Sequence, residues 1–218
     1  MCSSIASARR AASLAAVVLA GAAPATEAEA KEPVSLAALL ARFRALPGLE
    51  ARFHEVKKLT LLKAPLISEG TIHYAPPDRL ARQTTRPTAS TLIVDAQQVR
   101  FVDAEGSQSI PLEGNPVVRL FVDAFLKVLA GDRGALERIF AIGLRPSDRG
   151  WAMTLSPRLA PMTEVIERIV LEGRGAVIAR LVVREKDGDE TVTLFSSVDV
   201  ERRYTAEEKA RVFGVAAH

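Results

Sequence analysis

The stretch Leu66–Leu80, which reads LISEGTIHYAPPDRL, contains one β-strand, an interruption and the start of a second strand. Ile72 and Tyr74 alternate with polar residues, as in a strand that turns one face towards a core. Pro76-Pro77 has no backbone N–H for a neighbouring strand, so the pair marks a bend, an edge or a gap in the sheet. Because the strand pattern resumes at Leu80, the stretch predicts two strands joined by a short turn.

Other segments with a similar alternation follow along most of the chain. Several are separated by hairpin-type turns such as Gly173–Gly175 and Asp187–Asp189. Such short connections join antiparallel strands, whereas parallel strands need longer crossovers. The predicted strands are Leu49–Leu59, Leu66–Tyr74, Arg79–Thr84, Thr91–Val94, Val99–Val102, Trp151–Leu155, Glu164–Leu171, Ala176–Arg184 and Thr191–Phe195.

Helical patterns interrupt the strands at four places. Ser35–Leu46 has apolar residues at helical spacing behind a serine cap. Asn115–Leu129 begins with apt N-cap and N1 residues and carries a broad apolar stripe. Shorter helices are predicted over Ala135–Phe140 and Thr205–Arg211. The fold class is therefore α+β, with one large antiparallel sheet and helices gathered on one side.

The number of strands predicts how the sheet is shaped. An antiparallel sheet of eight or more twisted strands curls towards an incomplete β-barrel. Helices that cover its open side then enclose either a packed core or an apolar cavity. The residues alone favour a packed core.

The N-terminus has the pattern of a secretory signal peptide. Two arginines precede the apolar residues 11–25, which end in small residues. This apolar stretch is shorter than the roughly 18 to 20 residues of a transmembrane anchor. We expect export to the periplasm with cleavage after Ala25, or alternatively after Ala30, which leaves a single domain over residues 26–218.

Cleavage would change the chemistry available to the mature protein. Cys2 is the only cysteine and would be removed, so the mature chain would have no disulfide and no lipid-bearing cysteine. Loss of Arg9 and Arg10 from the 29 basic residues leaves 27 against 26 acidic ones. A nearly neutral chain gives no electrostatic support to nucleic-acid binding.

No pattern in the sequence points to an enzyme or to a cofactor. Nucleotide-binding glycine motifs and a Gly-x-Ser-x-Gly nucleophile motif are absent from the sequence. The histidines do not have the spacing of a zinc site. They are His54, His73 and His218. The carboxylates of Glu185, Asp187 and Asp189 cluster on a predicted hairpin tip, where a solvated turn is favoured over a calcium or acid-base site.

The order of several short motifs resembles a known family. Phe53–Val56 stands at the place of a family strand motif, and Gly70–Leu80 has the spacing G-x-[apolar]-x-[aromatic]-x-x-P-x-x-[LF]. Pro87 and Leu92–Asp95 follow in the expected order. With the signal peptide, this arrangement is similar to the periplasmic outer-membrane lipoprotein carriers, the LolA-like family.

The resemblance implies a curved, incomplete barrel with a helical lid over an apolar cavity. It implies a monomer that receives an acylated lipoprotein or other lipid cargo from an inner-membrane transporter and passes it to an outer-membrane acceptor. A glycolipid or a polyene lipid is an alternative cargo. Pro76 stands where the best-studied carriers have an arginine that ties the lid, and proline donates no hydrogen bond.

A non-carrier role is the second hypothesis. The same curved sheet is suited to a periplasmic sensor or scaffold that binds a protein or a lipid. Under the carrier hypothesis, the lipid-binding cavity is predicted to be lined by twelve residues. They are Phe53, Ile72, Tyr74, Leu80, Leu92, Val94, Phe101 and Trp151 from the sheet, and Leu120, Phe121, Phe125 and Val128 from the lid.

Overall fold

The computed structural model describes residues 34–95 and 97–214. The predicted signal peptide over residues 1–25, with its Cys2, and the C-terminal His218 lie outside these residues. The helices are α1 (Leu36–Arg44), α2 (Pro116–Leu129), α3 (Arg133–Ile139), α4 (Met162–Val165) and α5 (Ala206–Phe213). The strands are β1 (Leu49–Lys58), β2 (Leu66–Ala75), β3 (Arg79–Arg86), β4 (Ser90–Val94), β5 (Gln98–Asp103), β6 (Gly106–Pro111), β7 (Phe140–Ser147), β8 (Gly150–Pro157), β9 (Ile166–Arg174), β10 (Val177–Glu185) and β11 (Glu190–Asp199).

All eleven strands form one antiparallel sheet. Its order is β6-β5-β4-β3-β2-β1-β11-β10-β9-β8-β7, so β6 and β7 are unpaired edges and the barrel does not close. The sheet curves strongly, because Leu80 on β3 and Leu155 on β8 line the same pocket although they lie six strands apart. The predicted α+β class with an open antiparallel sheet is confirmed.

The proline pair forms the turn that its sequence predicts. Strand β2 ends at Ala75, and β3 begins at Arg79 after a three-residue connection. Tyr74 pairs with Leu80 across this turn. The Tyr74 hydroxyl donates a hydrogen bond to the Pro77 carbonyl oxygen at 3.4 Å. The prolines therefore interrupt no ladder, since they lie between two strands.

Helix α1 packs against the end of the sheet at which β8 begins. Phe43 meets Trp151 edge to face, with ring centres 5.8 Å apart. The Trp151 indole N–H donates to the Gly175 carbonyl oxygen at 3.0 Å, so the tryptophan is held on both sides. Arg44 donates to the Gly131 carbonyl oxygen at 2.9 Å and thereby joins α1 to the turn that follows α2.

The C-terminal helix covers part of the opposite, outer face. Thr205 and Glu208 form the expected capping box at the start of α5. Tyr204 and Phe213 pack in a second apolar cluster on β2, β3 and β4. The Tyr204 hydroxyl donates to the Leu49 carbonyl oxygen at 2.8 Å and lies 3.2 Å from Nδ1 of His73. This arrangement buries a histidine beneath the C-terminal segment.

Burial of His73 predicts a pH-dependent stability. Desolvation lowers the pKa of His73 below its usual 6.5, although the Glu50 carboxylate acts in the opposite direction. Below about pH 6.5 the unfolded chain binds a proton that the folded chain does not bind, so the free energy of unfolding should decrease as the pH falls. Urea denaturation at a series of pH values measures this slope.

A single variant separates this contribution from those of other groups. His73→Gln should flatten the pH dependence between pH 5 and 7, because the buried titrating group is gone. Equal slopes in wild type and His73→Gln would contradict the assignment.

Candidate functional site

An apolar pocket of about 230 Å³ lies between the concave face of the sheet, α2 and α4. Every side chain that lines it is apolar. The sheet contributes residues from β1, β2 and β3 on one side and from β7, β8, β9, β10 and β11 on the other. Phe121, Phe125 and Val128 of α2 form much of the opposing wall, and Met162 of α4 contributes to it.

A second pocket of about 280 Å³ adjoins the first. The two pockets share Ile72, Leu80, Phe121, Phe125, Leu181 and Phe195 in their walls. Leu92 and Val94 of β4 extend the second pocket towards the β6 edge of the sheet. Its wall differs from that of the first pocket because it also contains polar side chains.

These polar side chains form one hydrogen-bonded group. Arg82 Nη2 donates to Glu55 Oε1 at 2.9 Å and to Ser68 Oγ at 3.0 Å. The Thr193 hydroxyl donates to Glu55 Oε2 at 3.0 Å. The Arg82 guanidinium also lies 4.3 Å from the centre of the Phe53 ring, within range of a cation–π interaction. Both oxygens of a half-buried carboxylate are thus paired beside an apolar pocket.

Strand register explains why this group assembles. Glu55 on β1 lies directly opposite Ser68 on β2 and Thr193 on β11. Arg82 lies on the same face of β3 as Leu80, two residues away. Glu55, Arg82 and Thr193 are not among the site residues predicted from the sequence. The same alternation that selected Phe53 and Leu80 would have placed Glu55 and Arg82 on the concave face.

The structure brings eight of the twelve predicted cavity residues together around the two pockets. They are Phe53, Ile72, Leu80, Leu92, Val94, Phe121, Phe125 and Val128. Their contact with a lipid stays a prediction.

The other four lie elsewhere. Tyr74 and Trp151 are buried in the core, where burial and the charge of Asp78 raise the pKa of Tyr74 to about 12. Leu120 packs partly buried against the same core. Phe101, near the β6 edge of the sheet, is 41% exposed to solvent.

Helix α2 rests on the sheet through apolar side chains. Among the residues that the structure describes, no side chain of Pro116–Leu129 donates or accepts a hydrogen bond with a strand of the sheet. Its charged side chains form ion pairs on the helix itself or with the following turn, as in Arg119–Asp123 at 3.8 Å and Lys127–Asp132 at 3.6 Å. Opening of this helix would break apolar contacts but few polar ones.

The acidic cluster lies away from both pockets. The carboxylates of Glu185, Asp187 and Asp189 lie within 4.8 Å of one another. The Thr60 backbone N–H and hydroxyl donate to Asp189 at 2.7 and 2.9 Å, and these bonds lower the pKa of Asp189. The Lys57 ammonium nitrogen (Nζ) lies 3.4 Å from Glu185 Oε1. These contacts join the β10–β11 turn to the β1–β2 hairpin.

Comparison with known proteins identifies a family. Residues 28–211 match the family described as "Outer membrane lipoprotein carrier protein LolA-like". No curated protein sequence is significantly similar to the chain. Within residues 34–95 and 97–214, the helices are all too short or too polar to span a membrane.

Several solved structures are similar at low sequence identity. A LolA superfamily protein from Nitrosomonas europaea is 10% identical, with a TM-score of 0.46 and coverage of 80% of this chain and 96% of that chain. LprF from Mycobacterium bovis is 15% identical, with a TM-score of 0.38 and coverage of 78% and 92%. A chain of the Pseudomonas aeruginosa MucA/MucB complex is 14% identical, with a TM-score of 0.44 and coverage of 79% and 58%.

The empty space in the first pocket can be tested by filling it. Ala124 lines this pocket, so Ala124→Leu should place its added methyl groups there and change the free energy of unfolding by less than about 1 kcal/mol. Ala81 is fully buried beneath α5, where Ala81→Leu should cost about 1 to 3 kcal/mol through overpacking. Urea denaturation compares the two variants, and equal losses of stability would indicate a packed interior at both positions.

Proposed function

The chain belongs to the LolA-like outer membrane lipoprotein carrier family, and we propose that it carries acyl chains of a lipoprotein or another lipid across the periplasm. The observation that supports this proposal is the pair of adjoining pockets between the curved sheet and α2, of which the first is wholly apolar and the second has a polar border. The eight pocket residues identified above are the proposed contacts of the acyl chain. Catalysis has no place in the proposal.

The physical need for such a carrier follows from the cost of exposing a lipid anchor to water. Each CH₂ group contributes roughly 0.8 kcal/mol when it is buried. A diacyl anchor in the aqueous periplasm therefore needs a protein that shields it. The apolar first pocket supplies that environment. Because only apolar side chains line it, an acyl chain that enters leaves no polar side chain of the pocket without a hydrogen-bond partner.

The size of the pockets bears on how cargo enters. Ligand pockets for small molecules usually measure roughly 300 to 1,000 Å³, so each pocket here is slightly smaller than this range. A long acyl chain requires expansion of the interior. Helix α2 can supply it by moving outwards, because an entering chain replaces the apolar contacts that the helix gives up.

The proposal includes a route for the cargo. Residues 1–25 direct export, and the remaining domain over residues 26–218 acts as a monomer in the periplasm. An inner-membrane transporter donates the lipid, and an outer-membrane acceptor receives it. The near balance of basic and acidic residues in the mature chain supports no role in nucleic-acid binding.

Lipid binding can be tested with a charge placed on the lid. Phe121→Asp should weaken binding of a fluorescent fatty acid at least about tenfold, because a carboxylate in an apolar pocket is costly to desolvate. Phe121 is 37% exposed, so the free energy of unfolding should change by less than about 1 kcal/mol. Fluorescence titration and urea denaturation give the two quantities.

A matched control introduces the same charge on the other side of the sheet. Leu194 is 44% exposed on the outer face of β11, so Leu194→Asp should bind the fatty acid like wild type. Mass spectrometry of the gently purified protein should also detect bound lipid. A wild-type protein that neither retains lipid nor binds the fatty acid would favour the sensor or scaffold hypothesis instead.

A further inference from the structure

The hairpin between β1 and β2 exposes a cluster of large apolar side chains. Residues 57–67, hereafter the hairpin tip, contain Leu61, which is 95% exposed, and Leu62, Leu66 and Ile67, which are each about half exposed. Isolated exposed apolar residues are ordinary, but four of them within one hairpin indicate a contact surface. These side chains take no part in the core or in the two pockets.

The hairpin tip also carries positive charge. Lys57, Lys58 and Lys63 lie in a segment that contains no acidic residue between Glu55 and Glu69. Lys57 is paired with Glu185 of the neighbouring turn. Within the described part of the chain, Lys58 and Lys63 form no ion pair. Two free ammonium groups thus flank the exposed leucines.

The tip is held in a defined conformation. The Thr60 backbone N–H and hydroxyl both donate to Asp189, at 2.7 and 2.9 Å. The Leu62 backbone N–H donates to the Leu59 carbonyl oxygen at 3.0 Å and closes a turn. The Asp189 carboxylate keeps its negative charge, and the lysine of the tip with which it interacts electrostatically is Lys57. The leucines project from an anchored turn.

The position of the tip relates it to the second pocket. Glu55 pairs with Ser68, and the Lys57–Leu66 pair lies two residues further along the same ladder. The tip therefore extends from the end of the strands where the polar group of Glu55 and Arg82 borders the second pocket. A surface that docks through the tip would lie at this end of the molecule.

We propose that the hairpin tip docks on the surface of an anionic lipid bilayer. Leu61 and Leu62 insert at the boundary between head groups and acyl chains, and Lys58 and Lys63 contact lipid phosphates. Apolar side chains with flanking lysines are the combination by which interfacial segments bind such membranes. This surface goes beyond the proposed carrier function, since docking requires no cargo in the pockets.

Tryptophan fluorescence tests the insertion directly. Trp151 is the only tryptophan and is buried, so a second indole at the tip reports on its own surroundings. Leu61→Trp protein, purified from cells that express the full chain, should show a blue shift in emission with vesicles of phosphatidylglycerol and phosphatidylethanolamine. Ile110→Trp is the control, because Ile110 is a 45% exposed residue near the opposite end of the strands, and it should show no shift.

Vesicle sedimentation measures the energetics. The double variant Leu61→Asp/Leu62→Asp should lose at least about tenfold in partitioning into vesicles, because two apolar side chains that insert into the bilayer are replaced by carboxylates. Lys58→Gln/Lys63→Gln should lose roughly fivefold per lysine on anionic vesicles and be unchanged on phosphatidylcholine vesicles. Unshifted Leu61→Trp emission, or unchanged partitioning of the aspartate variant, would overturn the proposal and leave a protein partner as the occupant.

The same variants separate docking from cargo binding. Without vesicles, the aspartate variant should bind the fluorescent fatty acid like wild type, since the tip lines neither pocket. Failure of fatty-acid binding with intact docking would reject the carrier function alone. Intact fatty-acid binding with no docking would reject the membrane surface alone.

Discussion

The concave face of the sheet is largely apolar, and the sheet stays open because its edge strands β6 and β7 do not pair. This constraint determines where everything else lies. An open barrel leaves one side uncovered, so α1, α2 and α4 must shield the apolar side chains from water. Helix α1 does so by tight packing, as in the contact of Phe43 with Trp151. Helix α2 covers the rest less completely and leaves the two pockets beneath it.

The polar group in the second pocket follows from the same curvature. Strand register brings Glu55, Ser68 and Thr193 side by side on the concave face, and Arg82 reaches the carboxylate from β3. Because the carboxylate accepts bonds from both neighbours and from the arginine, it is tolerated next to apolar walls. The concave face thus has a wholly apolar pocket adjoining one with a polar border, a gradient that suits an amphiphilic molecule better than a simple hydrocarbon.

Much of this fold could be predicted from periodicity alone. Alternation identified nine of the eleven strands, and the Asn115-Pro116 start identified α2. Strand β6 was not predicted, because its serines and glutamine are exposed on both faces and give no alternation. Strand β7 was not predicted, because Pro146 argues against a strand. A proline is tolerated there since β7 lies at the edge of the sheet. The short helix α4 also gave no periodic signal.

The candidate site was less predictable than the strands. Alternation gives the face of a residue but not its depth along the barrel, so Tyr74 and Phe53 looked equivalent in the sequence. Only the packing of α1 and the position of α2 separate core residues from pocket residues. The apolar seal of α2 has a thermal consequence: its opening exposes hydrocarbon to water, a change with a positive heat capacity. Such contacts weaken on cooling, so the closed arrangement of α2 would become less stable relative to an open one as the temperature of the surrounding water falls.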